Sequence, residues 1–272
     1  MKTCIHTVIL NEPDEYLKPW LDYHTSMVDH IFIYEDYGSH SHKHLTDKYS
    51  NVTLSSVLDL FDDKDEIIER KKNDKSCQSL YIKNGVLYIQ SLSKYDWCFT
   101  LDIDEFITLQ EPYNDVYTVL SEFIEYDAVV LHWLNYGASG RVFKPDYGDK
   151  DYRLFYPLTG EQSNEDKLVA KFTKIAWNLN RITEKNIFGC HWPLGKRAQT
   201  NFENQIRIPC YDKMYLAHYI TRSWEEYLWK LFKRGMHCSN RHRKIQDFFE
   251  INPDMVNRYD ELIEIKNNIL KI

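Results

Sequence analysis

The order of apolar and amphipathic segments predicts an α/β fold: a mainly parallel sheet flanked by helices, with a helical C-terminal extension. Three observations carry this expectation. A strand-like run, a helically spaced stretch and a second strand-like run follow one another at the start; a further apolar run ends in paired acids; and residues 223–272 become helical.

CIHTVIL is a short β-rich run, and in DEYLKPWLDYHTSM the residues Leu17, Trp20, Leu21 and His24 recur at helical spacing before the strand-like HIFIYE. YGSHSH supplies turn residues, VTLSSVL a third strand, and residues 67–94 one long helical stretch. DWCFTLDIDEFITL reads as a strand bounded by acidic residues. From about residue 128 the pattern shifts: AVVLHWLNYG is another strand and turn, 137–165 is rich in Gly, Asp, Tyr and Pro, and 169–220 suggests several short strands. WEEYLWKLFKRG is helical, and DFFEINPDMVNRYDELIEIKNNIL reads as a final amphipathic helix carrying Met255, Val256, Tyr259, Leu262, Ile263 and Ile269 on related faces. With no repeat or long linker, the organisation is one domain over 1–222, halved near 127/128, and an extension over 223–272.

Composition narrows the function classes. The chain has 272 residues, 43% of them hydrophobic, enough for one substantial core. A net charge of −7 argues against a nucleic-acid partner, which would need a basic surface. No apolar run approaches the roughly 20 residues of a membrane span, and MKTCIHTVILNEPDEY turns acidic too early for a secretory signal, so a cytoplasmic location is expected. Cys4, Cys77, Cys98, Cys190, Cys210 and Cys238 are widely spaced, as reduced and mostly buried thiols would be. The basic run Arg222, Lys230, Lys233, Arg234, Arg241, Arg243 and Lys244 reads as a solvated helix face, with contact to an anionic ligand or a membrane surface as the second meaning. The HSHKH string at 40–44 lies in a turn-rich stretch and reads as mobile, exposed histidines without a site.

The chemistry concentrates in LDIDEF. On a strand, Asp102 and Asp104 would project from one face, with Ile103 and Glu105 on the other. Two carboxylates held so close want a cation; hard oxygen ligands suit Mg²⁺ or Mn²⁺, whose open positions phosphate oxygens can fill. Such an ion would neutralise charge growing on a departing nucleoside diphosphate.

These segments, taken in order, resemble the nucleotide-sugar glycosyltransferases of the GT-A fold, a Rossmann-like architecture, specifically the family 2-like and family 92-like group. TVILNEPDEYLKPWLDYHTSMVDHIFIYED resembles that group's first strand, helix and second strand; WCFTLDIDEFI resembles its metal-binding strand. WLNYGASG, KFTKI, a histidine near 191 and AHYITRSWEEYLWKLFKRG resemble its later blocks, the likeness running from about residue 4 to 236. The chain departs at the second strand tip, where Glu35-Asp36-Tyr37-Gly38-Ser39 stands in place of Asp-Asn before a Ser.

The resemblance implies that Asp102 contacts ribose and metal-diphosphate, that Asp104 is the more direct ligand, and that His218 completes the metal site. It also implies a nucleoside resting near Thr7, Asn11, Glu12 and Asp36, with Gln78 and cations from Arg70, Lys75, Lys230 and Arg234 near the diphosphate. Transfer would invert the anomeric carbon, UDP being the expected carrier and a carbohydrate or lipid-linked glycan of a bacterial or viral surface polysaccharide, such as a capsule or lipopolysaccharide, the acceptor. Glu161 is a candidate base alongside Asp146 and Asp149, and His191 a candidate pocket residue, while Trp133 and Trp192 offer faces for sugar rings. Other functions compatible with the residues are a metal-dependent nucleotidyl- or phosphotransferase and a non-enzymatic carbohydrate-binding module. The first would be expected to carry a Gly-rich phosphate loop, and neither GxGxxG nor GxxxxGK[ST] occurs.

Overall fold

A computed structural model describes residues 1–73, 77–156, 173–185, 187–188, 192–193, 198–199, 212–232 and 245–269. The opening β-α-β unit is β1 (Thr3–Ile9), α1 (Asp14–His24) and β2 (His30–Glu35). Asp14 and Glu15 occupy the first turn of α1, where the helix dipole favours negative charge. Leu17, Trp20, Leu21 and His24 form its buried face, as their spacing demands. Next come the short α2 (Lys43–Thr46), β3 (Val52–Ser56), α3 (Lys64–Lys72) and α4 (Gln78–Ser91). The expected long helix over 67–94 is therefore two: α3 ends in basic residues with Asn73 as its C-cap, and α4 restarts at Gln78.

β4 (Trp97–Thr100), β5 (Glu105–Leu109), α5 (Val116–Ser121), β6 (Ala128–Asn135) and β7 (Thr173–Asn178) follow, then the two-residue β8 (Ile187–Phe188), β9 (Trp192–Pro193) and β10 (Ala198–Gln199), and β11 (Met214–His218). The main sheet has the order β3-β2-β1-β4-β7-β6-β11-β5, with β10 beside β6. Only β7 and β5 run against their neighbours. The architecture is thus the expected mainly parallel, helix-flanked sheet. Alternate residues feed two cores: Ile5, Ile9, Ile31 and Ile33 face α1, whereas Cys4, Phe32, Tyr34 and Cys98 face α4. On that second face α4 crosses β1 at Gly85, where a Cβ would stand 2.1 Å from His6 Nε2. Cys4, Cys77 and Cys98 are buried and in no disulfide; the other three cysteines lie outside the described residues.

At the C-terminal end, α6 (Trp224–Phe232), α7 (Ile245–Ile251) and α8 (Tyr259–Ile269) pack around Trp224, Tyr227, Leu228, Phe248, Met255 and Leu262, and reach Ala138 and Val142. The expected single final helix is interrupted at Asn252, after which Pro253 opens a 3-10 turn. That break resets the helical phase: Met255 and Leu262 are buried while Val256 and Tyr259 are exposed.

Three buried histidines make the fold acid-sensitive. Burial lowers His6 to about 4, His24 to about 3 and His132 to about 4. In His24, Ile107 N–H donates to Nε2 at 3.3 Å while Nδ1 lies 3.0 Å from the Trp20 carbonyl, an arrangement that holds the neutral ring. Depressed folded values mean stability that is complete above the unfolded value of about 6.5 and is lost as pH falls toward 4. Urea unfolding at pH 7, 5.5 and 4.5 should show a progressive drop in midpoint. A flat profile would mean that these rings titrate normally.

Candidate active site

The carboxyl ends of β1, β2, β4, β6 and β11 share one edge of the sheet, the edge at which ligands bind in open α/β folds. LDIDEF is not one strand. The chain leaves β4 at Thr100 and re-enters the sheet as β5 on the far side of β11, so Asp102 and Asp104 occupy the crossing. This corrects the expectation of two carboxylates on one strand face. Residues 103 and 104 form a turn closed by Glu105 N–H donating to the Asp102 carbonyl at 3.1 Å, and a turn has no pleat to put both carboxylates on one face.

Register then assembles the first half of the site. His218 stands opposite Glu105 on one side and Asn135 on the other, and Tyr219 N–H donates to the Asp104 carbonyl at 2.8 Å. His218 Nε2 lies 3.6 Å from Asp104 Oδ1, while its Nδ1 is 3.0 Å from Asn135 Oδ1. With Nδ1 on the Asn135 oxygen, Nε2 is the ring nitrogen that faces Asp104. Lys230, in the last turn of α6, bonds the other Asp104 oxygen. Burial alone would push the Asp104 carboxyl up, but Lys230, His218 and Arg222 outweigh it and hold the group well below the usual range.

Asp102 is turned elsewhere. Its carboxylate lies 2.8 Å from Lys174 Nζ on β7, and its backbone N–H donates to Glu105 Oε2 at 2.8 Å. Lys174 also lies 3.7 Å from Glu105, and both are buried. Burial pushes the Glu105 carboxyl well above the ordinary range, and the nearby Asp102 and Asp104 add to this against the pull of Lys174. Beside this group, a cleft of about 20 Å³ is lined by His6, Gln78, Tyr81, Thr100, Asp102 and Lys174, room for little more than one water.

The oxygen and imidazole of Asp104 and His218 suit a divalent ion, since a ligating histidine is normally oriented through its other nitrogen, as Asn135 does here. Asp102 is not a third donor while it pairs with Lys174. Among the described residues, no group of three or more His, Cys, Asp or Glu is poised around one ion.

The residues expected around a nucleoside fall at the tips of β1 and β2, except Thr7, which is buried inside β1 opposite Ile33. Asn11, at φ +49°, binds the following turn: its N–H donates to Ser39 Oγ and its Oδ1 accepts from His40 N–H, each at 3.0 Å. Glu12 is buried. Asp36 is buried too, and accepts from Tyr81 OH at 2.9 Å, Tyr37 N–H at 2.7 Å and Lys71 Nζ at 2.6 Å. Arg70 instead pairs with Glu66 at 3.8 Å along α3. Of the HSHKH string, His42 is fully buried, 3.0 Å from Glu35 and 2.7 Å from the Glu12 carbonyl, which corrects its reading as exposed.

Lys75, Glu161, His191 and Arg234 lie outside the described residues, as do Lys233, Arg241, Arg243, Lys244 and the side chain of Trp192. Of the two described members of the basic run, Arg222 is buried against the rings of Tyr16 and Tyr152 and Lys230 bonds Asp104, so neither is part of a solvated face. Sequence reasoning passed over Asn135, Lys174, Glu105 and Arg222. The signal for Lys174 was there: a lysine inside the apolar run TKIAW needs a buried counter-charge.

A second cleft, about 240 Å³, lies between α1 and α6 and is lined by Pro13, Glu15, Tyr16, Lys144, Glu225, Glu226 and Trp229. Its carboxylates make it unsuitable for a diphosphate.

No family model matches the chain, and no curated protein does. Among solved structures, a protein of Desulfovibrio desulfuricans G20, provisionally named a nucleotide-diphospho-sugar transferase, aligns over 95% of this chain and 99% of its own length, at 12% identity and a TM-score of 0.38. HddC from Yersinia pseudotuberculosis (48% and 58% covered, 12% identity, TM-score 0.28) and A197 from STIV (49% and 47%, 12%, 0.25) also align. The chain spans about half the length of each of these two. With TM-scores below 0.5, none of the three speaks to what this chain does.

Proposed function

We propose that the protein is a glycosyltransferase that moves a sugar from a nucleoside diphosphate, UDP being the favoured carrier, to a glycan acceptor with inversion. The observation that carries this reading is the convergence, at one sheet edge, of a carboxylate–imidazole pair oriented by a neighbouring amide with two lysines, the half-buried Lys230 on Asp104 and the buried Lys174 on Asp102. Asp104 and His218 would hold a Mn²⁺ or Mg²⁺ ion, and water and phosphate oxygens would fill its remaining positions. When bound, that ion offsets charge on the leaving diphosphate.

The chain's own residues supply the rest. Lys230 sets a second positive charge beside Asp104, and Lys174 another beside Asp102, so a diphosphate arriving there meets cations on both sides. Asp36, held by Lys71 and Tyr81, stands at the tip of β2 where the nucleoside would lie, and Gln78 and His6 wall the cleft between them. Lys174 must part from Asp102 for a ribose to reach it. The acceptor would be a carbohydrate of a surface polysaccharide, lipid-linked acceptors bringing the protein to the inner face of a membrane. No helix among the described residues is long and apolar enough to cross one.

Calorimetric titration of UDP with Mn²⁺, then with EDTA, tests the reading. Binding should require the ion and should fall at least about tenfold in EDTA. If neither UDP nor another nucleoside diphosphate binds with metal present, the donor site is lost and a carbohydrate-binding module without catalysis becomes the better description.

A further inference from the structure

Arg222, one of the charges that hold the Asp104 carboxyl low, is the most unusual residue near the acidic centre. It is only 5% exposed, and its backbone sits at φ +54°, a conformation that non-glycine residues adopt rarely and at a cost. Both neighbours are tied down: Thr221 Oγ1 accepts from Asn252, and Ser223 bonds Glu226 at the start of α6. The strained backbone therefore directs the Arg222 side chain inward, where its guanidinium carbon lies 3.6 Å from the Tyr16 ring centre and 5.0 Å from that of Tyr152.

Flat stacking satisfies the faces of a guanidinium but none of its N–H groups. Nε and Nη2 of Arg222 are buried and have no hydrogen-bond partner. Two carboxylates are close enough to interact with its charge, Asp104 and Glu226, but other donors already surround both. Glu226 accepts from three tyrosines and Ser223, and Asp104 faces Lys230 and His218. A buried donor without an acceptor is rare because it forfeits its hydration for nothing. A forked donor suits a phosphate, which accepts two parallel N–H bonds.

From this the geometry points to Arg222 as a binding residue for the diphosphate of the donor, its unpartnered N–H groups receiving phosphate oxygens beside Asp104 and Lys230. The inference rests on the donor reading above and deepens it. Lys230 and His218 face Asp104, and Arg222 lies in the field of both Glu226 and Asp104, so an incoming phosphate would bring acceptors to the Nε and Nη2 groups that have none.

The test compares UDP, uridine and inorganic pyrophosphate, each with Mn²⁺, on the full chain and on Arg222→Ala and Arg222→Lys. Arg222→Ala should weaken UDP and pyrophosphate by about ten- to a hundredfold and leave uridine unchanged, while Arg222→Lys should recover part of the loss, because lysine keeps the charge and not the fork. A merely structural role would weaken all three probes alike, or none. If Arg222→Ala fails to fold, side-chain ¹⁵N NMR of the unaltered protein decides: the Arg222 Nε–H signal should move with UDP and pyrophosphate and stay put with uridine. An unchanged ratio of UDP to uridine affinity in a folded variant, or an Nε–H signal indifferent to UDP, overturns the inference and leaves the donor site standing. Absence of any nucleoside diphosphate binding to the unaltered protein overturns both.

Discussion

Asp104→Asn is expected to abolish metal-dependent UDP binding and to cost about 3 kcal/mol of stability, because it removes one partner of a buried ion pair and strands the other. Lys230 reaches Asp104 from α6 with only 13% of its side chain exposed, so the cation left behind cannot simply return to water. His218 would lose the carboxylate it faces at 3.6 Å and with it the second donor for an ion. Acid separates this effect from general damage. The folded Asp104 titrates well below its ordinary value, so its contribution is present above about pH 4 and is lost as pH falls through the folded value. The variant has no such contribution to lose, so unfolding curves for the two proteins should converge on acidification. If Asp104→Asn binds UDP with Mn²⁺ as the unaltered protein does, the ion is held elsewhere and the donor site described here is wrong.

How far the sequence could be read follows from what each inference needed. Periodicity is local, so α1 with Leu17, Trp20, Leu21 and His24 and the parallel order of the first strands were legible from it. The site is not local. His218 meets Asp104 only because β11 is inserted between β6 and β5, an outcome of strand order that no window of residues contains. The LDIDEF segment misled for the same reason: its apolar content fits a continuous strand, yet residues 101–104 are a crossing, which sends Asp102 to Lys174 and Asp104 to Lys230. Polar residues within apolar runs were the usable signal. Asn135 at the end of AVVLHWLN and Lys174 in TKIAW both proved buried, and both touch the acidic centre. Pro253 was an equally legible stop, and the periodic pattern on either side of it belongs to separate elements.

The largest loss of stability from a single side chain should come from Glu226→Ala. Glu226 Oε1 accepts from Tyr16 OH at 2.5 Å and Tyr147 OH at 2.6 Å; Oε2 accepts from Tyr156 OH and Ser223 Oγ, both at 2.6 Å, and from Ser223 N–H at 3.1 Å. Those donors come from α1, from the segment after β6 and from the start of α6, so one carboxylate joins the first and last parts of the described chain. Burial opposes its ionisation, but Arg222, Ser223 and the tyrosines prevail and keep it below its usual range. Removing it takes the shared acceptor from three phenols and a hydroxyl, of which only Tyr147 and Tyr156 can turn to each other at 3.0 Å, and leaves Arg222 with Asp104 as its one nearby carboxylate, at roughly 1–3 kcal/mol for each unsatisfied group. Relaxation will recover some of this, and a net cost above about 4 kcal/mol is expected from urea unfolding. Glu226→Gln keeps one acceptor oxygen, and hydroxyls can rotate to accept from its amide, so it should lose distinctly less. Equal losses in the two variants would mean that shape, rather than acceptor count, holds α1 against α6. A loss under about 1 kcal/mol in Glu226→Ala would mean that water replaces the carboxylate through the adjoining 240 Å³ cleft, which Tyr16 and Glu226 themselves line.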